Sequence, residues 1–133
     1  MAQYKIGVVI VDEQTEFAHQ HLAATIESLK AMGCSEQNIL IRHAPKIFNV
    51  TLTTQFLAEY TDVDAVVILA EDDHTSAFEA MLYGITKLQI AWNMPVTIGD
   101  CSVAADAIEM VALQNKMEAE APENISPDRK SIN

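Results

Sequence analysis

Glycine is scarce in this chain: Gly7, Gly33, Gly84 and Gly99 are the only four in 133 residues. Neither a G-x-G-x-x-G nor a G-x-x-x-x-G-K-[ST] pattern can be assembled from them. Both phosphate cradles need glycine so that the backbone can approach the phosphates closely, and both are excluded. No G-x-S-x-G elbow is present either. Cysteine is nearly missing. Cys34 and Cys101 lie far apart with no C-x-x-C spacing, which leaves no disulfide framework and no zinc pattern. Both are expected as small buried hydrophobes in a reducing compartment. Cations are few, eight Lys and Arg against nineteen Asp and Glu, for a formal net charge of −11. That field repels duplex nucleic acid and anionic lipid, so no nucleic-acid or membrane partner is expected. Long apolar runs are lacking too. None approaches the roughly 20 residues that span a bilayer. The start, Met1-Ala2-Gln3-Tyr4-Lys5, has neither a basic stretch nor a small-residue cleavage site, and a cytoplasmic location is the expectation.

What the chain does contain is a regular alternation of strand-like and helix-like segments. Half of the residues are hydrophobic and a fifth are charged, values ordinary for a globular domain. Lys5 to Val11 is an unbroken run rich in β-branched residues, the pattern of a strand buried on both faces. Helical period follows from Glu16 to Met32, with Phe17, Leu22, Ile26 and Leu29 on one stripe and Gly33 as the stop. Asn38–His43 reads as a second strand closed by Ala44-Pro45. Thr51–Tyr60 reads as a helix with Leu52, Phe56 and Leu57 inward. Ala65–Ala70 is a third buried strand. Ser76–Asn93 is a long helix with Phe78, Leu82, Ile85 and Trp92 on one side. Pro95–Ile98 is a fourth strand with proline at its permitted first position. A last helix runs from a Ser102 cap through Val103, Ala107, Ile108 and Val111, ending near Ala119.

Strands alternating with helices require right-handed parallel crossovers. The expected fold class is therefore α/β: a three-layer α/β/α arrangement, flavodoxin-like, with a four-stranded parallel sheet in the order 2-1-3-4 and helices on both faces. One domain is expected over residues 1–119, with a polar, mobile C-terminal tail over 120–133 that has two prolines and little to bury. Ligands in such folds bind beyond the carboxyl ends of the strands. That directs attention to Asp12–Glu16, His43–Val50, Glu71–Ser76 and Gly99–Ser102.

These segments are acidic. Asp12 and Glu13 follow the first strand, and Glu71, Asp72 and Asp73 follow the third. If those strands are neighbours, Asp12, Glu71 and Asp72 could converge on Mg²⁺ in the manner of a receiver-like module; the plainer reading is a solvated acidic rim that favours the N-terminus of the next helix. His74 follows the three acids and is the one histidine placed for acid–base work. His19 and His21, two apart on a helix, are expected at the surface. Ser76 and Ser102 stand at helix starts, where N-capping accounts for both.

Several of these segments, in order, resemble the lumazine synthase family. They are Tyr4-Lys-Ile-Gly-Val-Val-Ile10, the helix ending Lys30-Ala-Met-Gly33, Asn38-Ile-Leu-Ile-Arg-His-Ala-Pro45, Leu57-Ala-Glu-Tyr60, Asp64-Ala-Val-Val-Ile-Leu69 and Met94-Pro-Val-Thr-Ile-Gly99, with Ala107-Ile-Glu-Met110 similar to the family's final helix. The resemblance implies homo-oligomers, pentamers foremost, with an active site between subunits. There a dihydroxybutanone phosphate condenses with a ribityl-aminopyrimidinedione. It implies no cofactor. It also implies that a catalytic role would fall to His74, and substrate contacts to Glu13, Gln14, Ile47, Phe48, Asn49, Asp72 and Asp73.

The chain departs from the family at those same places. Where the family carries Arg-Phe-Asn, whose ring stacks on the pyrimidine, this chain has Asp12-Glu13-Gln14. The family's Pro-Gly-Ala-Phe-Glu-Ile-Pro becomes Pro45-Lys-Ile-Phe-Asn-Val-Thr51. The long glycine-containing phosphate loop shrinks to Glu71-Asp-Asp-His74, and the later segment with the phosphate-binding arginine is missing. The expected function is thus a lumazine-synthase-like homo-oligomer related to riboflavin biosynthesis, with catalysis impaired or lost and a small heteroaromatic ligand as a further partner. The alternatives are an active lumazine synthase, in which His74 moves protons and Phe48 lines the pocket, and the Mg²⁺-binding module.

Overall fold

A computed structural model describes residues 3–121 of the chain. The expected tail therefore lies, beyond Ala121, outside the described residues. Four strands form one parallel sheet in the order β2-β1-β3-β4: β1 (Ile6–Val11), β2 (Ile39–Ala44), β3 (Ala65–Leu69) and β4 (Val96–Gly99). Register runs Ile6↔Ile39, Ile6↔Ala65 and Val66↔Val96. All carboxyl ends consequently open on one edge. The central strands β1 and β3 are buried along their whole length. This is why they read as continuous apolar runs rather than as alternations.

Helices cover both faces, and side-chain alternation along the strands sorts the core in two. Val9, Val11, Val66 and Ile68 pack under α2 (Val50–Tyr60) and α3 (Ser76–Trp92). Val8, Ile10, Val67 and Leu69 pack under α1 (Thr15–Ala31) and α4 (Val103–Glu120). Helix α3 stops where Asn93 takes a left-handed conformation, its N–H donating to Gln89, the usual way a non-glycine residue ends a helix. Helix α4 runs to Glu120, one residue past the expected boundary.

Helix faces differ from the sequence reading in two places. On α2 the inward residues are Val50, Thr54 and Leu57, while Leu52 and Phe56 are half exposed. On α3 they are Phe78, Met81, Ile85 and Leu88, with Leu82 and Trp92 partly outside. Both helices carry apolar residues around most of their circumference, so periodicity alone did not orient them. Thr54 is fully buried because its hydroxyl donates to the Val50 carbonyl one turn back, which removes the polar penalty. Met81 is a core residue. His21 is half buried against Phe17, with ring centroids 4.5 Å apart, rather than at the surface. Cys34 is buried as expected, and burial followed by the Asp64 charge pushes its thiol pKa up. Cys101 is only partly covered.

Candidate functional site

The loops beyond the carboxyl edge are tied to one another by three short side chains in a row. Asp12, Glu13 and Gln14 form a single 3-10 turn after β1, and each reaches a different partner. The Asp12 carboxylate meets His43 Nδ1 at 2.8 Å at the end of β2. The Glu13 carboxylate accepts from the Ile47 N–H at 3.0 Å, while the Glu13 N–H donates to the Pro45 carbonyl. The Gln14 side chain bonds the backbone of Glu71 twice: its amide donates to the Glu71 carbonyl at 2.8 Å and its oxygen accepts from the Glu71 N–H at 2.9 Å. A primary amide carries one donor pair and one acceptor, so Gln14 satisfies a whole peptide unit of the loop after β3.

The loop from Ala70 to Thr75 is held from within as well. Asp72 accepts from the His74 N–H, and Asp73 accepts from both the N–H and the hydroxyl of Thr75. The Thr75 hydroxyl holds the Asp73 carboxyl below the usual carboxylate range. Thr75, not Ser76, is the N-cap of α3, its oxygen accepting from the Phe78 N–H at 3.1 Å. Replacing Thr75 by alanine should cost about 1 kcal/mol of stability, the usual worth of such a cap. Urea unfolding would read it, and Thr75→Ser should retain most of the wild-type stability; equal stability of wild type and Thr75→Ala would reject the capping role. Ser102 makes no cap bond: its hydroxyl and N–H both donate to Asp100.

Between the loops after β1 and β3 lies a groove of about 530 Å³ lined by Glu13, Gln14, Thr15, Glu16, Phe17, Glu71 and Asp73. Among the described residues no lysine or arginine lines it. The expected site residues are thus only partly brought together. Glu13, Gln14 and Asp73 share this groove, but Asp72 and His74 stand outside its lining. His74 does not open α3; it precedes the cap, is exposed, and has a left-handed backbone with φ of 59°. Ile47 is buried in the core with 1% exposure, so it offers the rim only its N–H, already taken by Glu13. Asn49 turns back to accept from the Lys46 N–H. Phe48 projects into solvent and lines a different groove with Leu52, Met81 and Gly84 between α2 and α3.

The magnesium alternative loses its geometric basis. Among the described residues, no three His, Cys, Asp or Glu side chains stand close enough to hold a metal ion, because Asp12 turns to His43 and Asp72 to its own loop. Thr15 and Glu16 fall in the Asp12–Glu16 segment the sequence pointed to, but sequence reasoning missed Phe17 as a groove residue and Gln14 as a double bond to backbone. The first could be inferred from a helix that begins right after the β1 turn; no sequence signal marks the last. Among the described residues no helix is long and apolar enough to cross a membrane.

A parallel three-layer sheet in 2-1-3-4 order, with its loops meeting at the carboxyl edge of β1 and β3, defines a flavodoxin-like α/β protein whose ligand end lies there. The sequence matches the model of the 6,7-dimethyl-8-ribityllumazine synthase family over residues 3–121, and the chain belongs to that family. It is 28% identical over 101 residues to the 6,7-dimethyl-8-ribityllumazine synthase of Porphyromonas gingivalis, covering 71% of this chain and 63% of that protein. To the Bacteroides fragilis protein of that name it is 27% identical over 101 residues, 71% of each. To that of Cytophaga hutchinsonii it is 29% identical over 99 residues, 70% of this chain and 62% of that protein. The chain thus spans less than two thirds of the Porphyromonas and Cytophaga proteins it matches.

Proposed function

We propose that this chain is a self-assembling member of the lumazine synthase family, related to riboflavin biosynthesis, that does not carry out the condensation. One observation carries the reading: the groove between the β1 and β3 loops is lined by Glu13, Glu16, Glu71 and Asp73 and by no cation. A phosphorylated substrate entering there would meet like charge. A single unit-charge pair at about 4 Å is worth on the order of 4 kcal/mol at an effective dielectric of 20. The polar groups that could orient a planar heterocycle at this edge, the Ile47 N–H and the Glu71 peptide, are occupied by Glu13 and Gln14. A small heteroaromatic ligand would have to displace those bonds or bind beside them.

Assembly is supported by apolar surface in two separate places. One is the groove of about 390 Å³ between α2 and α3, with Phe48 71% and Leu52 57% exposed on its rim. The other lies where the end of α3 and the start of β4 meet α4, lined by Met94, Pro95, Met110 and Met117. Patches of this kind on a soluble chain mark contact sites. Two unlike patches suit a head-to-tail contact that closes into a ring, and a pentamer is the family's expected closure.

The test of the catalytic reading supplies the purified chain with dihydroxybutanone phosphate and the ribityl-aminopyrimidinedione and follows absorbance of the lumazine product. We expect no formation above the uncatalysed rate. Steady turnover, lost on His74→Ala, would establish the active-enzyme alternative in its place.

A further inference from the structure

On the far side of α2 from the groove just described lies a third concavity, of about 450 Å³, at the open edge of the sheet. It is lined by Arg42, His43, Thr53, Phe56, Leu57, Tyr60 and Thr61. It shares no lining residue with the α2–α3 groove or with the acidic one. Its volume is in the range of small-ligand sites. Its floor is the buried Leu57, and its wall is made by two aromatic rings one helical turn apart. Phe56 and Tyr60 have centroids 5.9 Å apart with planes tilted by 56°, and both rings are at least half exposed. A third ring can be added to such a pair edge-to-face or offset without moving either.

Most described cations of the chain are engaged, and Arg42 and Lys46 are the ones without an ion pair or a cation–π contact among the described residues. Among the described residues Lys5, Lys30 and Lys116 are paired with Asp62, Glu36 and Glu120, and Lys87 lies over the Tyr83 ring. Among the described residues Arg42 has no carboxylate partner; one guanidinium nitrogen donates to the Ile41 carbonyl, which leaves most of the group's five N–H donors for something else. Beside it the His43 ring is fixed through Nδ1 by Asp12 at 2.8 Å. In a protein of net charge −11, a guanidinium without an ion pair beside two exposed aromatic faces offers an anion a cationic donor group.

The geometry points to a binding site for a small flat anion, an aromatic ring bearing a carboxylate or a phosphate. The ring stacks against Phe56 and Tyr60, and the anionic group takes paired N–H donors from Arg42, an arrangement planar guanidinium favours over a lysine ammonium. The threonine hydroxyls do not compete for the anion, since Thr53 and Thr61 donate to the Asn49 and Leu57 carbonyls of α2 and its start. Neither assembly nor any residue lining the acidic groove is needed for this site, so it stands apart from the reading above.

The experiment titrates the full chain with phenyl phosphate, inorganic phosphate and benzamide, using calorimetry and amide chemical shifts. Phenyl phosphate should bind about tenfold or more tightly than either the bare anion or the neutral ring, because each lacks one of the two interactions. The shifts should centre on residues 42–43 and 53–61. Arg42→Gln and Phe56→Ala, both surface changes checked by thermal melting, should each weaken phenyl phosphate by about tenfold, and Lys87→Gln should leave it unchanged. No binding at about 10 mM, well above the roughly 1 mM Kd of a weak site, would overturn the proposal. So would affinity that survives Arg42→Gln, or shifts centred on another face.

Discussion

Leu52→Asp should convert the assembled protein to monomers while leaving the fold intact. Leu52 is 57% exposed in the isolated chain and makes no part of either core cluster, so the substitution removes little intramolecular packing. In an assembly the same position would be covered, and a carboxylate placed in an apolar contact has no partner to offset its lost hydration. The penalty is several kcal/mol for each such contact, and about 3 kcal/mol is already more than a hundredfold in affinity. Every contact of a closed ring would carry it. Light scattering coupled to size exclusion should therefore show the wild type at a multiple of the chain mass and Leu52→Asp at the chain mass, with superimposable far-ultraviolet spectra. A variant that keeps the wild-type mass would remove this face from the interface. A wild type that is itself monomeric would dispose of assembly altogether.

The second large effect belongs to the core. Leu57 is 2% exposed and lies directly over Gly7 of β1: a Cβ built on Gly7 would stand 2.9 Å from the Leu57 Cδ1 and 3.4 Å from the Val66 Cγ2. Leu57→Ala should lose roughly 3 kcal/mol, within the usual span for emptying such a site, and lower the melting temperature by about 10 °C for a chain of this size. Gly7→Ala should destabilise by crowding the same space. Combined, the two should cost less than their sum, because the added methyl occupies part of the room the leucine vacates. A double-mutant cycle reads the coupling directly. Simple additivity would mean that the glycine is there for some reason other than the leucine.

The strands were legible because two of them are covered on both sides, and a run such as Ile6–Val11 has few other uses. The helices were legible in extent, but the inward face of α2 was not. Leu52 and Phe56 are as apolar as Val50 and Leu57, and a buried threonine at position 54 gives no warning of itself. The acidic character of the rim could be read from Asp12, Glu13, Glu71, Asp72 and Asp73 in sequence, together with the adjacency of β1 and β3 that brings the two groups near. What could not be read was where each carboxylate turns. Asp12 facing His43 and Asp72 facing its own loop are decisions made over single torsions, and they separate a cation cage from a self-bonded edge. The family was legible in the apolar strand segments and their flanking residues taken in order, and the family match over residues 3–121 agrees.

The Gln14 side chain stands just past the last β1–β3 pair, Ile10↔Leu69, and there it imitates one more rung of the ladder. Because both of its bonds go to main chain at Glu71, the identity of the side chain at position 71 is immaterial to them. The spacing of the backbone is not. Substitutions at position 71 should thus be accepted freely, whereas inserting even one residue beside it would pull the peptide out of reach. A chain built in this way can change its side chain at that rung but cannot readily lengthen the loop that meets it.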